Sequence, residues 1–425
     1  MSKILLGCIA DDFTGGTDLA NNLVRSGMRT MQTIGIPEER LQTQVDAVVV
    51  AQKSRTAPRH EAVEHSLAAL HWLKSQGAQQ IYFKYCSTFD STPEGNIGPV
   101  TEALLDALES EAPSFTIATP AFPDNARTVF SGYLFVGDVL LHESGMQNHP
   151  LTPMKDSNLV RVMQAQCTRR VGLIDYRAVA KGAVAIRDRI DALRQQGVQI
   201  AIVDAISNDD LIKLGPALKG MALVTAGSGV AIGLPANFGI APSNAASELP
   251  RASGFRAIVS GSCSAATNRQ VRAFSAAGGE SFRIEPLQLA GGNEVVAEAI
   301  AWASSRLAQK PILIYSTAEP VVVKAAQEQL GAQRAGTLVE QALAAIARGL
   351  VECGVRQLII AGGETAGACV QALKIAQLRI GPQIDPGVPW CHAQPTVAPD
   401  GLHLALKSGN FGSDDFFIKA FRLLA

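Results

Sequence analysis

No two cysteines in this chain are spaced as CxxC. The seven stand apart, at Cys8, Cys86, Cys167, Cys263, Cys353, Cys369 and Cys391. That scatter gives no support to a zinc site or a dithiol redox couple, and reduced thiols packed as small apolar groups are the plain reading. Surplus charge is missing too. The 37 Lys and Arg against 38 Asp and Glu leave a formal net charge of -1, so no overall field recruits nucleic acid or an anionic membrane. A local basic pocket stays open. No uninterrupted apolar run approaches the roughly 20 residues of a membrane span. The opening "MSKILLGCIADD" is too short in apolar residues for a secretory leader and shows no small-residue cleavage site, so a cytoplasmic location is expected. Two nucleotide signatures are absent as well. GxxxxGK[ST] and GxGxxG occur nowhere, which disfavours a P-loop and a Rossmann dinucleotide site. "GSGVAIG" (Gly227 to Gly233) misses the second pattern by one residue.

What is present is an alternation. The 425 residues, 47% apolar and 18% charged, are too many for one ordinary core and suit a soluble globular protein. "KILLGCIA" is short, apolar throughout and closed by turn residues, the pattern of a fully buried strand. "GTDLANNLVRSG" follows at helical spacing. Strand-like "TMQTIGI", "VDAVVVAQ", "QQIYFKYCS" and "SFTIATPAF" then alternate with helix-like "RHEAVEHSLAALHWLKSQG" and "GPVTEALLDALES". Alternating strands and helices build parallel βαβ units. "TVFSGYLFVGDVLLHES" (Thr128 to Ser144) breaks the rhythm and predicts a hairpin or an excursion from the main sheet. "RRVGLIDY", "VQIAIVDAI" and "MALVTAG" read as further buried strands.

The stretch Leu234 to Gly254 is rich in Pro, Ala, Ser and Gly without a period, the mark of a boundary. The rhythm restarts with "FRAIVSGSCSAATNRQVRAF". The expectation is therefore an α/β protein of two domains, residues 1–240 and 255–425. Each would hold a mostly parallel sheet flanked by helices, with the active site in the cleft between them.

Open α/β sheets bind ligands beyond the carboxyl ends of their strands. The second domain has three glycine-bearing junctions of that kind, "VSGSCSAATN" (Val259 to Asn268), "AGGETAGA" (Ala361 to Ala368) and "KSGNFGS" (Lys407 to Ser413). Each lets backbone approach a ligand and leads toward a helix whose first N–H groups carry positive partial charge. One such loop is as readily a mere turn; three at strand ends suit a nucleotide triphosphate.

The first domain carries acids and bases at its strand ends: Asp11 and Asp12, Lys53 and Arg55, Lys84, Ser87, Thr88 and Asp90, Arg127, then His149, Asp156 and Ser157. Carboxylates accept hydrogen bonds from sugar hydroxyls, while Arg and Lys clamp a carboxylate or phosphate. Together they suit a small, acidic, hydroxylated substrate. Plainer roles stand beside this one: Asp11 or Asp12 as a helix cap, Arg55 and Arg127 as surface ion-pair partners. Lys84, inside an apolar and aromatic strand, fits a solvated face less well.

The stretches "IADDFTGGTDLANNLVRSGMRTMQTIGIP", "KYCSTFDSTPEGNIGP", "VSGSCSAATNRQV", "AGGETAGACVQAL" and "LKSGNFG" together resemble the four-carbon acid sugar kinases, most closely their 3-oxo-tetronate 4-kinase branch. The resemblance spans nearly the whole chain; "KYCSTFDST" is its branch feature, and Gly16, where alanine is commoner, is a departure. It implies a substrate domain followed by a nucleotide domain, and ATP-dependent phosphorylation of the C4 hydroxyl of a 3-oxo-tetronate. By motif, ATP would contact Ser260, Ser262, Gly362, Gly363, Glu364, Thr365, Ser408 and Gly409. The acid would meet Asp11, Asp12, Arg55, Lys84, Ser87, Asp90 and Arg127. Asp12, or else Asp90, would orient the attacking hydroxyl, and Glu364 would ligate a Mg²⁺ bridging the phosphates. Two alternatives remain: a threonate or erythronate kinase of the same family, and a non-catalytic sugar-acid binding protein. Small molecules are the expected partners, not nucleic acid or membrane, and a homo-oligomer stays open.

Overall fold

The apolar runs become strands covered on both faces, and the chain divides into two units, Met1–Ser247 and Glu248–Ala425. The computed structural model describes residues 4–38, 41, 44–89, 92–109, 114–148, 152–292 and 294–424.

The N-terminal unit runs β1 (Leu6–Ala10), α1 (Phe13–Arg25), β2 (Thr30–Ile34), β3 (Ala47–Ala51), α2 (Arg59–Ser75), β4 (Gln80–Lys84), α3 (Ile97–Leu108) and β5 (Thr116–Thr119). It continues with β6 (Arg127–Phe130), β7 (Tyr133–Val136), β8 (Val139–Leu140), α4 (Leu159–Gln166), β9 (Val171–Ile174), α5 (Tyr176–Val179), α6 (Ala183–Gln195), β10 (Ile200–Val203), α7 (Asn208–Ala217) and β11 (Leu223–Ala226). Its main sheet has the order β2-β3-β1-β4-β11-β5-β10-β9, and every neighbouring pair is parallel. Strand β1 leads through α1 toward β2 on one side, while β4 leads through α3 toward β5 on the other. Their adjoining ends form a topological switch point, where loops diverge and leave a crevice. The excursion foreseen around Thr128 to Ser144 is real: β6, β7 and β8 form a separate antiparallel sheet. Its first turn is Ser131-Gly132, with φ of 52° and 78°. Positive φ at both central residues is the two-residue hairpin geometry that matches strand twist.

The C-terminal unit runs β12 (Phe255–Ser260), α8 (Ala265–Ala276), β13 (Glu280–Arg283), α9 (Pro286–Gly291), α10 (Glu294–Ser304), β14 (Ile312–Tyr315), α11 (Pro320–Leu330) and α12 (Ala332–Glu352). It closes with β15 (Val355–Ala361), α13 (Gly363–Ala372), β16 (Gln377–Asp385), β17 (Val388–Ala393), β18 (Leu402–Lys407) and α14 (Phe416–Lys419). The order is β13-β14-β12-β15-β18-β17-β16. The first five strands are parallel, and the last two form an antiparallel hairpin that the sequence reading did not foresee. Prolines at 382 and 389 had hidden both strands. The turn itself is legible afterwards: Asp385 pairs with Val388 across Pro386-Gly387, and Gly387 has φ +76°. A second switch point falls between β12 and β15. Each unit thus carries a switch point at the carboxyl ends of its central strands.

Candidate active site

In the N-terminal unit the register sets Ala10 beside Ala51 and Lys84, and Lys84 beside Ala226. Four loops therefore start at one level. Asp11 and Asp12 leave β1, and the chain turns straight into α1. Asp12 caps that helix: its Oδ1 accepts from the Gly15 amide at 2.9 Å and its Oδ2 from Thr14 Oγ1 at 2.9 Å. The capping role and the site role are thus one arrangement. Arg55 comes in from the loop after β3 and clamps both acids. Its Nε and Nη2 donate to the Asp11 carboxylate at 2.9 Å each, and Nη2 also donates to Asp12 Oδ1 at 2.8 Å. Asn96 ties that loop down by donating to the Ser54 and Ala57 carbonyls at 2.9 Å. Burial alone would raise the Asp12 pKa, but Arg55 first and Lys84 second, with the bonds from Thr14 and Gly15, hold it below its ordinary value. Burial likewise works against the Arg55 charge, and the Asp11 and Asp12 carboxylates outweigh it and raise the Arg55 pKa.

Lys84, the last residue of β4, is only 3% exposed, and its ammonium has no hydrogen bond or ion pair with the described residues. It stands close to Asp12. A Cβ built on Gly15 would lie 2.1 Å from Asp12 Oδ1 and 2.3 Å from Lys84 Nζ. Glycine at 15 is what lets these opposite charges approach over the helix start.

The sequence reading missed a third acid. Asp18 lies in the second turn of α1, 3% exposed. Its Oδ2 accepts from Ser228 Oγ at 2.6 Å, and its Oδ1 is buried without a hydrogen-bond partner among the described residues. Burial pushes its pKa up to about 7, against the pull of Lys84, the Ser228 hydrogen bond and Arg127 and with the push of Asp12. Asp18 shows nothing in the sequence beyond one of several polar residues in α1, sharing its face with Thr14, Asn21 and Asn22; Ser228 sits in the "GSGVAIG" stretch that nearly imitates a dinucleotide loop.

The other nominated residues divide. Arg127 opens β6, donates to the Asn125 carbonyl and acts electrostatically on Asp18. Ser87 is buried in the loop after β4, and Lys53 is exposed. Asp156 pairs with Arg161, and Ser157 bonds His142, so neither joins the Asp12 group. Asp90 and His149 lie outside the described residues.

In the C-terminal unit Ser260, Ala361 and Lys407 stand side by side at the ends of β12, β15 and β18. The loops are stitched at their roots: the Gly261 and Ser262 amides donate to the Ala361 carbonyl at 3.0 and 3.2 Å, and the Gly362 amide to the Lys407 carbonyl at 2.8 Å. Gly362 has φ +124°, a value that side chains rarely adopt, and a Cβ there would lie 3.1 Å from the Ser262 amide. It delivers the chain into α13, so Gly363 and Glu364 are exposed on the first turn while Thr365 is buried. Helix α8 is capped by Ser264, whose Oγ accepts from the Thr267 amide at 3.2 Å. The loop after β18 packs closely on the first loop, for a Cβ on Gly409 would lie 2.5 Å from Ser262 Oγ. Ser262, Gly362, Gly363, Glu364, Thr365, Ser408 and Gly409 are thus gathered. Ser260 is beside them, but its hydroxyl is buried against Thr317 Oγ1 at 2.7 Å. Two helix starts facing one group of strand ends make a positive, amide-lined surface suited to an anion. Among the described residues no group of three or more His, Cys, Asp or Glu side chains is placed to hold a metal.

Comparisons with known proteins agree with this division. A model of a sugar-binding N-terminal domain matches residues 6–234, and one of a nucleotide-binding C-terminal domain matches residues 257–417. The chain is similar to a 3-oxo-tetronate kinase of Burkholderia multivorans, 58% identical over 100% of this chain and 98% of that one. A 3-oxo-tetronate kinase of Pseudomonas fluorescens is 57% identical over 99% and 97%. Among solved structures, a Salmonella typhimurium LT2 protein superposes with a TM-score of 0.87 at 45% identity, covering 99% of each chain. Haemophilus influenzae protein HI1011 gives 0.78 at 44%, covering 99% of this chain and 100% of that one.

Proposed function

The chain belongs to the family that pairs this sugar-binding N-terminal domain with this nucleotide-binding C-terminal domain, and from that premise we propose that its two loop groups serve one phosphoryl transfer. The protein is a kinase whose acceptor is a 3-oxo-tetronate. The finer reading is transfer from ATP to the C4 hydroxyl, giving 3-oxo-tetronate 4-phosphate.

The observation that carries it is the close approach of Lys84 to Asp12 at the N-terminal switch point. Phosphoryl transfer asks for positioning and charge neutralisation more than for covalent chemistry. A carboxylate held ionised by Arg55 and Lys84 is a good acceptor for a hydroxyl proton and so orients that hydroxyl. It is a weak base, and a loose transition state needs little more. Lys84, beside it and without a partner among the described residues, neutralises charge at the same end of the substrate. Arg55 has committed Nε and Nη2 to the two acids, so its chief task is to fix them. Arg127 and Ser87 complete the grip on the acid, with Asp11 as a further hydroxyl acceptor.

In the other unit the amides at Gly363 to Thr365 and at Ser408 and Gly409 receive the phosphates, while Gly362, whose amide is spent on the Lys407 carbonyl, sets the turn that presents them. Glu364, exposed on the first turn of α13, fits a Mg²⁺ that takes its remaining ligands from phosphate and water, since that ion commonly accepts only one or two protein carboxylates. The ion would neutralise phosphate charge there. An ADP-release assay across four-carbon acids, with each acid offered as such and after oxidation at C3, tests the reading. Turnover is expected with the 3-oxo acid and ATP together. ADP release with threonate or erythronate and none with the 3-oxo acid would refute it, as would acid binding without ADP release.

A further inference from the structure

Lys407 ends β18 and is fully buried, yet it has no ion pair among the described residues. Its Nζ donates to the carbonyls of Ser408 at 3.0 Å, Gly409 at 3.1 Å and Phe411 at 3.2 Å, and to Thr267 Oγ1 at 3.0 Å. Thr267 Oγ1 itself donates to the Gly409 carbonyl at 2.8 Å, which leaves its lone pair for the ammonium. Ser264 Oγ donates to the same carbonyl at 2.6 Å. Buried cations are normally paired with a carboxylate. Among the described residues this one is met only by dipoles, and burial pushes its pKa down to about 7.

The geometry has a second side. In a trans peptide the carbonyl and the following N–H point in opposite directions. Carbonyls of Ser408 and Gly409 drawn inward onto the ammonium therefore turn the amides of Gly409 and Asn410 outward. Neither of those amides donates to another described residue. The Gly409 backbone from which they turn lies against Ser262, in the group of loops described above, and Asn410 is exposed. Outward-turned successive amides make an anion-accepting concavity.

We infer that Lys407 is a positioning residue for the nucleotide: it holds the loop after β18 with carbonyls inward and amides outward, so that the Gly409 and Asn410 amides receive phosphate oxygens. Its buried charge, unmatched by any carboxylate among the described residues, finds its counter-charge in the phosphate chain. This rests on the assignment of the nucleotide to the C-terminal loops.

The test is calorimetric titration of the full chain with a non-hydrolysable ATP analogue and, separately, with the four-carbon acid. Lys407→Met keeps the length of the side chain and removes every donor. It is expected to weaken the analogue at least 10-fold while acid affinity stays within twofold, a split that general loosening of the fold would not produce. Thr267→Val removes one anchor, keeps the charge and is expected to weaken the analogue about threefold; it carries the test if Lys407→Met does not fold. Gly363→Ala serves as the reference for the loop before α13 and is expected to lose analogue binding. Unchanged analogue affinity in Lys407→Met, or in Thr267→Val if that variant alone folds, would overturn the role of Lys407 while Gly363→Ala still loses binding. If Gly363→Ala also binds normally, the loop assignment fails and the role of Lys407 falls with it.

Discussion

Replacing Asp18 by asparagine removes a buried, titrating carboxyl while keeping its shape and its acceptor for Ser228. The folded pKa of about 7 stands against an ordinary 3.8. Between those values the folded protein binds a proton that the unfolded chain has released, so stability falls as pH rises through this window and levels off above it. At 1.36 kcal/mol per unit, the full penalty of ionising Asp18 in the fold is about 4 kcal/mol, of which about 3 kcal/mol accrues between pH 5 and pH 8. Asparagine carries no such slope. Urea denaturation of parent and Asp18→Asn at both pH values reads the difference directly. The variant is expected to gain on the parent as pH rises, and the gap should widen by about 3 kcal/mol from pH 5 to pH 8. Parallel curves would refute the reasoning, for they would mean that Lys84 and Arg127 keep Asp18 ionised throughout. The cause lies in the fold: Asp18 Oδ1 is enclosed without a partner among the described residues, and Ser228 reaches only the other oxygen.

Three further outcomes follow from the same site. Asp12→Asn should lower kcat by about 10²-fold or more while ATP binding persists, since it loses the oriented acceptor; near-normal turnover would remove Asp12 from the reaction. Lys84→Met should lower kcat/KM for the acid on the order of 10²-fold with ATP affinity unchanged, because the buried cation that faces Asp12 is lost. A lower melting temperature together with normal kinetics would mark Lys84 as structural. Gly15→Ala puts a methyl within 2.3 Å of both Asp12 Oδ1 and Lys84 Nζ. Both are side-chain tips that can swing aside, so the fold should persist in circular dichroism while acid turnover is lost; retained turnover would show that the two charges need not approach.

The N-terminal loop was legible because one local pattern served two ends. An apolar strand followed by Asp-Asp and glycines announces a cap, and the cap is the same carboxylate that Arg55 and Lys84 face. The three glycine junctions of the C-terminal unit were legible for a similar reason: positive φ at Gly362 and close approach at Gly409 require residues without a Cβ. Lys407 was visible only as the residue before "SGNFG". Nothing in a strand ending "LHLALK" distinguishes a solvated lysine from one enclosed by its own loop.

The sequence alone determined the alternation of strand and helix and the turn chemistry at strand ends, because periodicity and glycine or proline placement act over a few residues. Tertiary structure decided which polar atoms meet. Asp18 and Ser228 are 210 positions apart, Lys407 and Thr267 140, and Arg55 lies 44 beyond Asp11. Those meetings follow from sheet order, which brings β4 beside β1 and β18 beside β15, and burial then fixes the charge state of what has been brought together. Local pattern carries no information on either.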